Sequence, residues 1–353
     1  MERLLFAMTN TDSTQTPVIS VVIPTYNRCQ WLRMALESVL QETRVPLFVH
    51  VFDNASTDGT RELVQDLMRK ELRLRYTRHA SNIGGLPNTN LSVRSVETSY
   101  FVPLADDDWL YPDFLYEAYG LMRKNPALGA IIYQTKQVYP NGFLINPASS
   151  RPSGFLDPKT HLIDWMEFGH YQWSSILWNR KVLEVTGVPE DAVGYPSDVD
   201  FQAQAFCYFP VLRVAKLGAA YRVHPLQASH PQASSKLLEG NWRLIRRRLD
   251  RSVRLSSVMP WNEYLLHRPA LLRYWRSIWT AVLDDKSLTV TLKMALKFGI
   301  QFRDVEFCFS SIEKKLQLWG RFQKARSRVA FRSRVKRGIS RLVSLTGSSK
   351  TCD

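Results

Sequence analysis

The chain has few cysteines and no pattern in them. Cys29, Cys207, Cys308 and Cys352 are scattered over 353 residues. They show neither metal-ligand spacing nor a paired framework, which excludes a disulfide scaffold and points to a reducing compartment. Long apolar runs are also missing. Even Leu288 to Ile300 is broken by Lys293 and Lys297, so no stretch reads as a membrane span. The opening residues Met1 to Met8 turn polar too soon for a secretory leader. A cytoplasmic setting without an integral anchor is the expectation. Acidic charge is scarce mainly at one end. From residue 286 onward 16 Lys and Arg face 4 Asp and Glu, so +12 of the +15 net charge lies there. The basic character therefore describes the C-terminal stretch more than the rest. Hydrophobic residues make up 45% of the chain, with ten Trp, fourteen Tyr and seventeen Phe, enough for a large core. The length fits roughly two domains.

What the chain does have is strand and helix in alternation. Val18 to Ile23 is a β-branched run stopped by Pro24, the pattern of a buried parallel strand. Gln30 to Gln41 carries apolar residues at helical spacing. A second strand, Leu47 to Phe52, ends at Asp53. Ser56 to Gly59 is a turn, and Asp58-Gly59-Thr60 reads as the turn and cap of a helix to Lys70. Leu72 to Tyr76 is a short third strand. A loop with Gly84 and Gly85 leads to a helix near Asn88 to Val96, and Tyr100 to Leu104 is a fourth strand. This order predicts a parallel sheet with right-handed crossovers and ligands beyond the strands' carboxyl ends. Three polar segments fall at such ends: Pro24-Thr25-Tyr26-Asn27, Asp53 to Ser56, and Asp106-Asp107-Asp108.

The aspartate triplet is the strongest signal. Adjacent carboxylates repel, so a fold rarely gathers them at a strand end without a cation. Hard oxygen donors suit Mg²⁺ or Mn²⁺, ions that usually serve phosphate groups.

After Trp109 the pattern is mixed. Ala130 to Tyr133 reads as a strand. Phe155 to Asn179 is rich in aromatic and polar residues, as a substrate wall would be, and His170 and Trp173 are candidates for lining an acceptor pocket there. Ser197 starts a helix to Tyr208. Val211 to Leu217 and Tyr221 to Val223 read as two last strands. Beyond about residue 235 the chain reads as helices rich in Trp, Leu and Arg.

Taken in order, Val21 to Arg28 (Val-Val-Ile-Pro-Thr-Tyr-Asn-Arg), Asp53 to Thr60 (Asp-Asn-Ala-Ser-Thr-Asp-Gly-Thr), Asn82 to Gly85 (Asn-Ile-Gly-Gly) and Leu104 to Leu110 (Leu-Ala-Asp-Asp-Asp-Trp-Leu) resemble the family 2 glycosyltransferases of the GT-A fold. The resemblance covers about residues 18 to 230. It implies a Rossmann-like mixed, mostly parallel sheet flanked by helices, here with a basic helical C-terminal extension. It implies an inverting transfer of a sugar from a nucleotide diphosphate donor, by default a UDP-sugar, with Mg²⁺ or Mn²⁺. Residue by residue, Pro24, Thr25, Tyr26 and Asn27 would line base and ribose, and Asp53 would accept a hydrogen bond from the base. Asn82, Gly84 and Gly85 would approach ribose or phosphate. Asp106 and Asp107 would contact ribose or support the ion, and Asp108 would ligate it. His224, in Tyr221-Arg222-Val223-His224-Pro225, would reach the metal or the diphosphate. Pro87-Asn88 stands where many relatives carry an Arg-Asn pair.

The acceptor hydroxyl needs a base. Asp198 is the choice, since Ser197-Asp198 resembles the family's Glu-Asp segment, with Ser replacing Glu. Asp200 is the rival; two residues on, it points elsewhere around a helix.

The domains expected are a disordered 1–17, a nucleotide-sugar-binding half 18–110, an acceptor-binding half 111–235 and a basic helical extension 236–353. Within the extension, Phe331, Val335, Ile339 and Leu342 share one face of a helix over 326–345, with Arg and Lys on the others. Such a helix suits an anionic membrane surface, or packs its apolar stripe on the catalytic domain. No nucleic-acid-binding module is recognisable. The expected setting is assembly of a surface polysaccharide or glycolipid at the inner face of a membrane, with a glycan or lipid-linked acceptor. The rivals are a sugar nucleotidyltransferase, which would carry a Gly-rich basic loop after its first strand, and a non-catalytic nucleotide-sugar-binding protein.

Overall fold

A computed structural model describes residues 16–139, 144–145, 151–224, 227 and 241–283. Residues 1–15, 236–240 and 284–353, with the basic segment 326–345, lie outside the described residues. The first half alternates as expected: β1 (Ile19–Thr25), α1 (Cys29–Leu40), β2 (Leu47–Asp53), α2 (Thr60–Met68), β3 (Leu74–Arg78), α3 (Gly85–Arg94) and β4 (Tyr100–Pro103). Then come β5 (Trp109–Leu110), α4 (Phe114–Lys124), β6 (Ala130–Val138), β7 (Leu144–Ile145), β8 (Gly154–Leu156), α5 (Pro158–Phe168), β9 (Ile176–Asn179), α6 (Lys181–Thr186), α7 (Ser197–Phe206), β10 (Val211–Arg222), α8 (Trp242–Ser256) and α9 (Trp261–Leu283).

The strands form one sheet in the order β3-β2-β1-β4-β9-β6-β10-β5, with β7 on β6 and β8 on β10. β1, β2, β3 and β4 are mutually parallel. β9 runs antiparallel to both β4 and β6, and β10 is parallel to β6. β4, β6 and β10 therefore point the same way, and their carboxyl ends share one rim.

Alternation along each central strand divides the core. Val21 and Ile23 pack with α1, α2 and α4 on one face, whereas Val22 packs on the other with α5, α7, α8 and α9. Phe101 and Val102 on β4 divide the same way. Both faces are covered, as a mostly parallel sheet requires. Caps follow the local sequence. Asp157 accepts from Thr160 N ahead of Pro158 to open α5, and Asn241 accepts from Leu244 N to open α8.

The structure differs from expectation at β10. The two strands expected at 211–217 and 221–223 are one, with register shifts between Val214 and Leu217 and between Leu217 and Ala219. Gly218 sits in the irregularity, and a Cβ there would lie 2.5 Å from that of Tyr133. The bulge breaks the period-two pattern, which is why the sequence reads as two pieces. Its effect is to carry Arg222 and His224 onto the rim.

Candidate active site

The rim begins where the loop after β1 is stapled to the loop after β2. Asn27 adopts a left-handed backbone (φ 52°), and its amide oxygen accepts from Thr57 N at 2.7 Å. Its own N–H donates to Ser56 Oγ at 2.9 Å. The Asp58 carboxylate accepts from Cys29 N at the start of α1 and from the Thr60 hydroxyl at the start of α2. Asp58 thus joins two helix N-termini, a wider role than the single cap expected. Of the residues expected to line base and ribose, Tyr26 is exposed, Thr25 is buried and Pro24 is half-buried.

Asp53 lies behind this surface. It is 0% exposed, and its oxygens accept from Ser56 N at 2.8 Å and Tyr76 OH at 2.5 Å, with Arg78 Nε at 3.4 Å. Burial and the Asp53 carboxylate together hold the Tyr76 phenol above its usual range. Asn54 accepts from Ile83 N and donates to Asn82 Oδ1, which also accepts from Gly84 N, each at 2.8 Å. Asn88 donates to Phe52 O and meets His79. So the loop of Asn82, Gly84 and Gly85 is bonded to the end of β2. Asn88, which stands in the place of a common Arg-Asn pair, is buried and structural. Tyr76 and Arg78 went unnoticed in the sequence because nothing local marks them, and Asn54 was read only as part of a polar strand end.

The three aspartates are buried, at 4%, 7% and 3% exposure. One guanidinium nitrogen, Arg28 Nη1, donates to Asp106 Oδ1 at 2.8 Å and to Asp107 Oδ2 at 2.7 Å. His224 Nε2 is 2.9 Å from the same Asp107 oxygen. Asp108 faces elsewhere, accepting from the Ser174 hydroxyl at 2.6 Å and from Arg222 N at 3.1 Å. Arg222 Nε also donates to the Asp107 carbonyl. Trp31 of α1 packs its ring 4.1 Å from that of His224. Burial pushes the Asp106 carboxyl up to about 6, opposed by Arg28 and helped by Asp107. Burial and then the Asp107 charge push Asp108 up to about 8, against its two donors.

Among the described residues, no three His, Cys, Asp or Glu side chains gather around one point as a finished metal site. The chemistry of the donors nevertheless fits a hard divalent cation. Three buried carboxylates have one guanidinium bridging two of them, and two of the three are pushed toward protonation. A dication would relieve that excess.

Asp198 opens α7, half-buried, with Val199 N on its Oδ1. Burial raises its carboxyl above the ordinary range, against the pull of nearby His170. Asp200 is 1% exposed and committed to the core, accepting from Arg248 Nε of α8 at 2.9 Å and from Gln204. Burial raises it to about 6, Arg248 opposing. Gln202 of α7 clasps Tyr171 through both N–H and carbonyl. The segment His170 to Ser174 therefore runs from Asp198 to Asp108. Its four Cα steps reach at most about 14 Å. Trp173 packs its ring on Phe201 and Trp178, so it buttresses this segment from the core side. Ser174 carried no sequence signal.

A mostly parallel sheet covered on both faces, with buried carboxylates on one rim, is the frame of the GT-A fold. Residues 20–185, a little under half of the chain, match the glycosyl transferase family 2 model. An uncharacterized glycosyltransferase of Rickettsia felis is 35% identical over 107 residues, 30% of this chain and 17% of that protein. The hyaluronan synthase of Pasteurella multocida is 27% identical over 144 residues, 40% of this chain and 15% of that protein. The chain thus matches less than a fifth of the length of these relatives. The crystal structure of S. aureus TarS 1–349 shares the fold, with a TM-score of 0.58 at 14% identity over 85% of this chain and 91% of that one.

Proposed function

We propose that the chain is an inverting glycosyltransferase. It moves a sugar from a nucleotide diphosphate donor, a UDP-sugar, to a glycan or lipid-linked acceptor. One observation carries this reading: a single short segment, His170 to Ser174, joins the buried triplet at Asp108 to the half-buried carboxylate of Asp198. A TarS structure in complex with UDP-GlcNAc has a TM-score of 0.56 to this chain and supports the choice of donor.

In the reaction the acceptor oxygen forms a bond to the anomeric carbon as the bond from that carbon to the phosphate oxygen breaks. The electron pair leaves with the nucleoside diphosphate, and the acceptor proton passes to Asp198. Asp106, Asp107, Asp108 and His224 would hold Mg²⁺ or Mn²⁺. When bound, that ion neutralises charge on the leaving diphosphate as a Lewis acid. Pro24, Thr25, Tyr26 and Asn27 form the edge nearest the base, and the loop from Asn82 to Gly85 lies next to it. Asp53 acts on the base from behind, through Tyr76 and Arg78, because its own carboxylate is covered. A panel of nucleotide-sugars tests the reading by metal-dependent nucleotide release. Binding of none of them would overturn it, and unchanged turnover in Asp108→Asn would remove the metal assignment.

A second reading concerns location. Among the described residues, no helix is long and apolar enough to cross a membrane. Arg243, Arg247, Arg251 and Arg254 recur along the exposed side of α8, and Leu255 is 65% exposed at its end. This face, with the basic segment 326–345, supports peripheral association with anionic lipid, as at the site of polysaccharide assembly. Co-sedimentation with phosphatidylglycerol vesicles at low salt tests it. Absence of binding there would remove it.

A further inference from the structure

Arg28 makes an unusual pair of contacts. The same nitrogen serves Asp106 and Asp107, at 2.8 and 2.7 Å. The two carboxylate side chains are only 6% and 10% exposed, whereas the Arg28 side chain is 23% exposed and lies over the Trp31 ring, its Cζ 5.5 Å from the centroid. So the guanidinium has an outward path, and one movement takes its charge from both carboxylates, leaving Asp107 with His224 alone on that oxygen among the contacts described. Asp108 would not follow, because Ser174 and the Arg222 N–H hold it independently.

We propose that Arg28 is a resident counter-cation that makes divalent-cation binding conditional on the donor diphosphate. The inference rests on the donor reading above. Without donor, Arg28 neutralises two carboxylates that a dication needs, and moving it away would break both of these ion pairs with nothing in exchange. With donor present, the diphosphate offers Arg28 an anion in exchange, and the carboxylates are freed. Donor and cation then bind as a coupled pair, and by linkage each must tighten the other by the same factor. The site is thereby kept from loading metal until a leaving group is in place.

Titration calorimetry with Mn²⁺, with and without UDP, tests this on the full chain. The expected wild-type result is weak Mn²⁺ binding that UDP strengthens by about tenfold or more. In Arg28→Gln, Mn²⁺ alone binds about tenfold more tightly and the UDP effect shrinks to within about threefold. Arg28→Lys keeps the charge and retains most of the coupling. Mn²⁺ affinity without UDP that is unchanged in a folded Arg28→Gln overturns the proposal. If that variant does not fold, wild-type Mn²⁺ affinity indifferent to bound UDP overturns it instead. Failure of the wild type to bind UDP at all is a different result, since it removes the donor reading itself.

Discussion

Ser174 donates its hydroxyl to Asp108 at 2.6 Å, across 66 residues of sequence. Its oxygen also receives Ala105 N at 3.3 Å, so one side chain ties the acceptor-side segment to the strand end that bears the triplet. Ser174→Ala should leave the fold intact but release one Asp108 oxygen. A hydrogen bond to a charged group of this kind contributes about 1.5 kcal/mol, so kcat/KM should fall about tenfold. Steady-state kinetics over both substrates checks this. Wild-type kinetics in the variant would show that Asp108 needs no such orientation.

Asp198 and Asp200 should separate cleanly. Asp198→Asn keeps donor binding and thermal stability and loses transfer. Asp200→Ala takes the buried carboxylate, only 1% exposed, from Arg248, which is 28% exposed and keeps its 3.6 Å pair with Glu190. Breaking such a partly buried pair costs about 2–3 kcal/mol, visible in chemical denaturation. The reverse pattern, with Asp200→Ala stable and inactive, would move the base to Asp200.

The acid limb of the transfer rate should lie above the ordinary aspartate range. With Asp198 as the proposed base its carboxylate is the active form, and burial raises its pKa. Activity therefore falls as pH drops through that raised value and is full above it. A kcat/KM profile in the presence of saturating metal reads the limb. A limb in the ordinary aspartate range would mean that Asp198 is solvated when substrate is bound.

Metal-free protein should lose stability as pH rises from about 6.5 to 8.5. Asp108 has a folded value of about 8, above the unfolded value of 3.8, and carries the slope in this window, whereas Asp106, at about 6, has largely lost its proton below it. Between those values the folded state holds more protons, so raising the pH favours unfolding. His50, lowered to about 4, acts in the opposite sense only below the histidine range, outside this window. Thermal melts across the window, with and without Mg²⁺, check both parts. Mg²⁺ should flatten the slope, and a flat metal-free profile would argue against excess negative charge at the triplet.

Asn54→Ala should loosen the loop from Asn82 to Gly85, since Asn54 bonds both Asn82 and Ile83 N. The donor KM should rise about fivefold to tenfold with kcat little changed, the mark of lost ground-state binding. An unaltered KM would detach this loop from the donor.

How far these features were legible depends on their range. The alternation of β-branched runs and helical periodicity from Val18 to Leu104 reports local burial, so the parallel half was readable strand by strand. The sheet's second half was less so. β9 inserts antiparallel between β4 and β6, and β10 is bulged at Gly218, and neither leaves a regular period. The triplet was conspicuous because like charges in sequence remain neighbours in any fold. Of its partners only His224 was marked, and that by the family resemblance. Arg28 lies 78 residues from Asp106, and Ser174 and His224 are separated from the aspartates by whole elements.

By itself the sequence determined that a polar rim lies at the strands' carboxyl ends, that carboxylates crowd it, and that a second acidic pair opens a helix farther on. Those conclusions rest on adjacency and periodicity, which survive without coordinates. Only the tertiary structure decided which acids are committed. Asp53 turns inward to Tyr76, and Asp200 is spent on Arg248. Asp108 is held by Ser174, and Arg28 stands between Asp106 and Asp107. The reason is that burial and pairing are properties of contacts between distant segments, and a carboxylate's charge and freedom are set by those contacts.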